Sequence, residues 1–399
     1  MAFPERFSNL PEYAFPRLRK LLDVHAPGGP VIAMTIGEPT HPQPAFVAEV
    51  ITAHLAGFGK YPPNDGSATL LAAISAWIGR RYGVTMDPAS QIMALNGTRE
   101  GLFNAALALC PEQKNGQRPV VLMPNPFYQV YTVAAVTTGA EPLYVPATAA
   151  TGHLPDYASL PAEILNRVTV AYLCSPANPQ GAVASRDYLK TLLVLAEKHD
   201  FTVFADECYA EIWRTAPPPG LLEIANETGA DPERVFVFHS LSKRSNLPGL
   251  RSGFVAGGPK GIAEIRKLRA FAGAPLPLPI QRVSEAAWSD EHHVIASRAL
   301  YQEKFALAAQ IFQGMQGFTL PEGGFFLWLP VEDGEDAALK LWQETGVRVL
   351  PGAYLSREVA DFTNKAGQNP GKAYVRVALV APKEEMQHGL IQLRDCLYQ

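Results

Sequence analysis

The sequence predicts an α/β protein, a largely parallel sheet sandwiched by helices, followed by a smaller α+β part. Three observations predict it. Between about residues 45 and 275, helical patterns alternate with short apolar runs. Several of those runs are apolar at every position, as strands covered on both faces must be. Past the proline-rich stretch Ala274-Pro-Leu-Pro-Leu-Pro279 the order becomes one long helical stretch and then strand-like pieces.

Along the chain, Leu70, Leu71, Ile74, Trp77 and Ile78 recur at helical spacing, and Tyr82-Gly83 ends that helix. Asn96-Gly-Thr-Arg99 leads into a second helix over 101–110. Strands are expected at 120–123, 143–145, 169–174, 202–205, 235–239 and 253–256. The later part reads as a helix over about 293–315 with strands at 318–320, 324–329, 347–350 and 374–379. These patterns suggest a large domain over 45–280 and a small one made of 1–44 with 281–399.

Composition narrows the function classes. With 47% hydrophobic and 18% charged residues the chain has the make-up of an ordinary globular protein. A net charge of −4 provides no basic field for nucleic acid or an anionic membrane. Cys110, Cys174, Cys208 and Cys396 lie far apart without CxxC spacing, so neither a metal site nor a disulfide framework is expected. The first residues carry charges and prolines where a signal peptide needs an apolar run, and no run approaches the roughly 18 residues of a membrane span. A cytoplasmic protein is the expectation.

In open α/β sheets, ligands sit beyond the carboxyl ends of the strands, and five polar clusters fall at such places. Gly97, Thr98 and Arg99 precede a helix, where backbone N–H groups and the helix dipole can hold a phosphate; a plain turn would read the same. Tyr128 could cover a flat ring or simply pack. Asn178 lies in a turn-like segment. Asp206 ends an apolar strand and is followed by Tyr209; an acid there predicts a buried positive partner. Finally Ser240, Ser242, Lys243 and Arg251 lie in a Ser- and Gly-rich loop. A lysine desolvated beside a second cation is available as a neutral amine.

Each cluster alone is unspecific, but one ligand meets all five demands: pyridoxal 5′-phosphate. Its aldehyde needs Lys243, and its phosphate needs the helix start with Ser240, Ser242 and Arg251. Its ring nitrogen needs an acid such as Asp206 to stay protonated. Tyr209 and Asn178 can meet the phenolic oxygen while Tyr128 covers a face. In this reading Lys243, Asp206 and Tyr209 carry the chemistry.

The chain resembles the class I/II aminotransferases of fold type I over essentially its whole length. The matching pieces are Ile36-Gly-Glu-Pro39, Tyr61-Pro-Pro-Asn-Asp-Gly66, Asn96-Gly-Thr-Arg-Glu100 and Pro124-Asn-Pro-Phe-Tyr128, then Asn178-Pro-Gln-Gly181, Asp206-Glu-Cys-Tyr209, Ser240-Leu-Ser-Lys243 and Tyr374-Val-Arg-Val377. Gln180 departs from the threonine more usual in that family. The Asn96–Phe103, Phe238–Phe254 and Pro275–Gln281 segments are similar to those of succinyldiaminopimelate aminotransferases.

The resemblance implies a mostly parallel seven-stranded sheet and a homodimer in which Tyr61 reaches the partner's phosphate site. It implies that Arg376 binds the substrate α-carboxylate beside Gly37 and Asn178, and that Asn125–Pro126 and Asn178–Pro179 are cis. The implied reaction is ping-pong amino transfer from N-succinyl-LL-2,6-diaminopimelate to 2-oxoglutarate. Both have a distal carboxylate, for which Arg269 is the candidate cation, a solvated helix arginine being the alternative. Competing readings are an aminotransferase for aspartate, alanine or an aromatic amino acid, a C–S lyase, and a regulator that only senses the cofactor. Against the regulator, the 36 residues before Gly37 show no helix-turn-helix pattern.

Overall fold

The computed structural model describes residues 4–359 and 367–399. A short N-terminal strand, β1 (Ile32–Ala33), precedes the strands of the main sheet. These are β2 (Ile92–Leu95), β3 (Val120–Asn125), β4 (Glu141–Pro146) and β5 (Val168–Cys174). They continue with β6 (Thr202–Asp206), β7 (Val235–Ser240) and β8 (Gly253–Gly257). The seven strands lie in the order β2-β8-β7-β6-β5-β3-β4. All run parallel except β8, which is antiparallel to both neighbours.

Helices on both faces explain the apolar runs. Val203 and Ala205 of β6 join a core with Trp77 and Trp288, while Phe204 between them points into a second core with Phe236, Phe238 and Tyr172. Strand side chains alternate between faces, so a strand buried on both must be apolar throughout. β2 was missing from the expected strands. It is four residues long, squeezed between an Asp87-Pro88 turn and Asn96-Gly97, too short to show a period.

The expected helix over 70–82 is Ala68–Tyr82, capped by the Ser67 hydroxyl and closed by Gly83 in the left-handed region. Helix Leu278–Ser289 straddles the suggested domain limit at 280. It packs on helices Phe46–His54 and Ala68–Tyr82, with Ala287 and Trp288 in the main core. We therefore propose a domain limit after Ser289 instead.

Beyond the long helix His292–Ile311 come β9 (Phe326–Pro330), β10 (Val347–Arg348), β11 (Leu350–Pro351) and β12 (Tyr374–Ala378). β11, β12 and β9 form an antiparallel sheet, and β10 pairs with β1 of the N-terminal segment. The strand expected at 318–320 is loop. Gly314 and Gly317 both take positive φ there, and Phe318 turns back onto Phe312 with ring centroids 5.2 Å apart.

Candidate active site

The parallel register brings Asn125, Cys174, Asp206 and Ser240 to one edge of the sheet, where β2 also ends and β8 begins. A cleft of about 330 Å³ opens there. It is lined by Gly37, Thr98, Arg99, Tyr128, Asn178, Asp206, Tyr209, Ser240, Ser242, Lys243, Arg251 and Arg376. Residues more than three hundred positions apart thus share one cavity.

Asp206 is buried, accepting from the Tyr131 hydroxyl at 2.8 Å and the Cys208 amide at 3.3 Å. No lysine or arginine of the described residues compensates it, and burial pushes its carboxyl pKa up. The buried positive partner expected from the sequence is therefore not a lysine or arginine of the described residues. A protonated ring nitrogen at the floor of the cleft would fill that role.

Lys243 sits in the short helix Leu241–Arg244, entered through Ser240, whose hydroxyl accepts from the Ser242 amide at 3.1 Å. Its ammonium donates to the Gly37 carbonyl and lies 5.3 Å from the Phe325 ring centroid. Burial lowers its pKa to about 8, with Arg376 and Arg251 adding to the shift against Cys208 and Glu38.

Gly97, at φ +85°, and Thr98 open the helix Thr98–Leu109. A Cβ at Gly97 would collide with the Arg251 guanidinium, so glycine is what allows that arginine to lie against the helix start. Arg251 itself donates from Nη1 to the Pro248 carbonyl at 2.8 Å. This leaves backbone N–H groups, hydroxyls and a cation facing one corner, a fit for a phosphate. Across the cleft, Tyr128 accepts from Arg99 Nε at 2.7 Å, and Tyr209 is buried edge-on against Phe325 and Phe326.

Arg376, in mid-β12, donates to Asn178 Oδ1 at 3.1 Å and to the Thr35 carbonyl at 2.6 Å. Its guanidinium lies 4.2 Å from the Phe326 ring centroid, and burial lowers its pKa to about 10. Its buried Nε has no partner, and no carboxylate of the described residues is among the groups acting on it. Gly37 passes so close to the Phe325 and Phe326 rings that any side chain would strike them.

Two expectations fare differently. Arg269 is not in the cleft. It is 2% exposed, bonded to Glu100 at 2.7 Å and to the Ala94 carbonyl at 3.1 Å. Its helix, Pro259–Ala272, packs on Thr98–Leu109, so the arginine neutralises the half-buried Glu100 between two helices. Tyr61 is fully exposed, at 101%, and outside its own chain's cleft. The bonds before Pro126 and Pro179 are cis, as is Ser175–Pro176, which the sequence reading did not anticipate. Tyr131, Cys208 and the N-terminal Tyr13 and Phe15, which the sequence does not single out, also line the cleft. Tyr131 carried a signal, an aromatic one turn beyond Tyr128; Tyr13 and Phe15 carried none.

The family model for aminotransferases of class I and II matches residues 29–390. The chain belongs to that family. Members use pyridoxal 5′-phosphate, which the acid, the amine and the phosphate corner of the cleft fit. An LL-diaminopimelate aminotransferase of Dehalococcoides mccartyi is 31% identical over 99% of both chains. Among solved structures, an aminotransferase of Neisseria meningitidis is 36% identical, with TM-score 0.90 over 97% of each chain. A probable N-succinyldiaminopimelate aminotransferase of Thermus thermophilus superposes with TM-score 0.81 at 26% identity, over 96% of this chain and 98% of the other.

Proposed function

We propose that this aminotransferase moves the amino group of N-succinyl-LL-2,6-diaminopimelate to 2-oxoglutarate, as a cytoplasmic homodimer. The charge of the cleft carries the choice of donor. Among the described lining residues, Arg99, Lys243, Arg251 and Arg376 face a single carboxylate, Asp206, which belongs to the ring-nitrogen end. The free far-end ammonium of LL-diaminopimelate would meet no acid among the described lining residues. Succinylation turns that ammonium into an uncharged amide that ends in a carboxylate, which suits a cationic cleft.

When bound, the cofactor supplies an electron sink for the carbon that loses its proton. Lys243, as a neutral amine, takes the proton from the substrate Cα and returns one in the reverse half of the cycle. Arg376 grips the α-carboxylate with its planar fork, held in place by Asn178 and Thr35. With the cofactor bound, Asp206 would set a negative charge against its ring nitrogen, and Tyr209 and Asn178 would be the groups to meet its phenolic oxygen. Exposed Leu55, Phe58 and Tyr61 on one short segment support a dimer in which Tyr61 serves the neighbouring site.

LL-diaminopimelate is the second reading, favoured by the similarity to the LL-diaminopimelate aminotransferase of Dehalococcoides. A half-reaction screen separates them: the holoenzyme is mixed with each donor and loss of the cofactor's visible band is followed. A higher second-order rate with the succinylated donor supports the first reading. Faster reaction with LL-diaminopimelate overturns it.

A further inference from the structure

Lys243 stands on a helix of only four residues, Leu241–Arg244, a single turn that cannot hold its shape unaided. The three residues after the lysine are each tied to the region where helix Leu278–Ser289 ends and helix His292–Ile311 begins. Arg244, buried over the Trp288 ring, donates to the Ala287 carbonyl at 2.6 Å and to the Glu291 carboxylate at 2.7 Å. Ser245 bonds to His293 Nε2 at 2.8 Å, and Nδ1 of the same ring meets the Asp290 carboxylate. Asn246, at φ +53°, donates to the Ser297 hydroxyl at 3.1 Å.

Serine, imidazole and carboxylate thus stand in the order of a hydrolytic triad. Ser245 has no exposed surface, however, so no substrate reaches its hydroxyl. The chain of bonds ends instead two residues from the reacting amine. We infer that His293 is a positioning residue for Lys243: held by Asp290, it accepts the Ser245 hydroxyl and fixes the lysine turn to the long helix that leads into the small domain. The inference rests on Lys243 being the reacting amine. A carboxylate at Nδ1 calls for the N–H there, which leaves Nε2 as the acceptor for the serine. Burial lowers the His293 pKa, and Arg244 adds to this against the pull of Asp290, so the ring stays in that neutral form. The further charges beside it are Glu291, on Arg244, and Arg80, 3.8 Å from Glu291. Phe46 packs against the ring with centroids 5.7 Å apart.

The test reads the protonation of Lys243 in the cofactor-free chain, by acetylation with acetic anhydride over a pH series and mass spectrometry of the Lys243 peptide. The wild-type midpoint is expected at about 8. In His293→Ala and Ser245→Ala the loosened turn admits water to the amine, so the midpoint should rise by about one pH unit. The double variant should shift no further than either single one. Capture of pyridoxal 5′-phosphate at neutral pH should slow by about 10-fold in step, because the neutral amine is what reacts. His293→Gln still offers Ser245 an acceptor and should keep the midpoint near that of wild type. His293→Phe keeps only the packing and should shift like alanine. Should His293→Ala fail to fold, the glutamine and phenylalanine variants decide by the same criterion. An unmoved midpoint on loss of the imidazole overturns the inference, as do rescue by phenylalanine and strictly additive shifts. Neither readout uses an amino donor, so failure here leaves the donor choice untouched, and failure of either donor leaves His293 to be judged by these midpoints.

Discussion

Burial gives Asp206 and Lys243 their chemistry, in opposite directions. Desolvation disfavours each charge, raising the acid's pKa and lowering the amine's to about 8. Asp206→Asn keeps the shape and removes the charge opposite the ring nitrogen. Turnover should fall by about 100-fold or more, with the site still formed; stopped-flow half-reactions check it, and a near-normal rate would detach Asp206 from the chemistry. Lys243→Ala should abolish steady-state turnover. Lys243 also predicts a pH effect on the cofactor-free fold. Between its lowered pKa of about 8 and its ordinary 10.5, the unfolded chain holds a proton that the folded chain has released. Stability therefore rises with pH across that window, and the cost of burying the charge is felt in full below it. Lys243→Met removes the cost, so the variant should be the more stable protein near neutral pH, its advantage shrinking in alkali. Thermal midpoints measured below and above that window decide this, a constant difference ruling burial out as the cause.

Two helices show how elements set the cleft. Thr98–Leu109 starts at the phosphate corner, and its partner Pro259–Ala272 is pinned to it through Arg269 and Glu100. Arg269→Ala strands the half-buried Glu100 and should cost about 3 kcal/mol of stability, read by denaturant unfolding, with substrate preference little altered. Gly97→Ala should weaken cofactor binding, because a methyl group there displaces Arg251; equilibrium dialysis of the cofactor measures it, and unchanged affinity would mean that Arg251 does not serve the phosphate. Element positions were legible where period and length were strong. The strands at the heart of the sheet, apolar on both faces, stood out, as did the helix ending at Gly83. β2 escaped because four residues carry no period, and 318–320 misled because an apolar triplet can pack as a loop.

At the scale of the whole molecule, Tyr61 is fully exposed, and the proposed dimer would give it a neighbouring site to serve. Tyr61→Phe should leave stability within about 0.5 kcal/mol, as surface changes do, yet loosen the cofactor. Cofactor dissociation measured together with sedimentation checks it, and unaltered retention in a dimer would remove Tyr61 from the neighbouring site. The sequence alone determined the α/β class, and it pointed to the turn, the lysine and the acid that the structure brings into one cleft. Those signals are local: strand periodicity, glycine placement, and polar residues just past apolar runs. It misassigned Arg269 and overlooked Tyr13 in the cleft, because both depend on which distant surface each side chain meets. A helix arginine looks the same in sequence whether it faces a cleft, solvent or a buried glutamate. Only packing, which fixes the neighbours within a few ångströms, settles which charge is spent inside the protein and which remains free for a ligand.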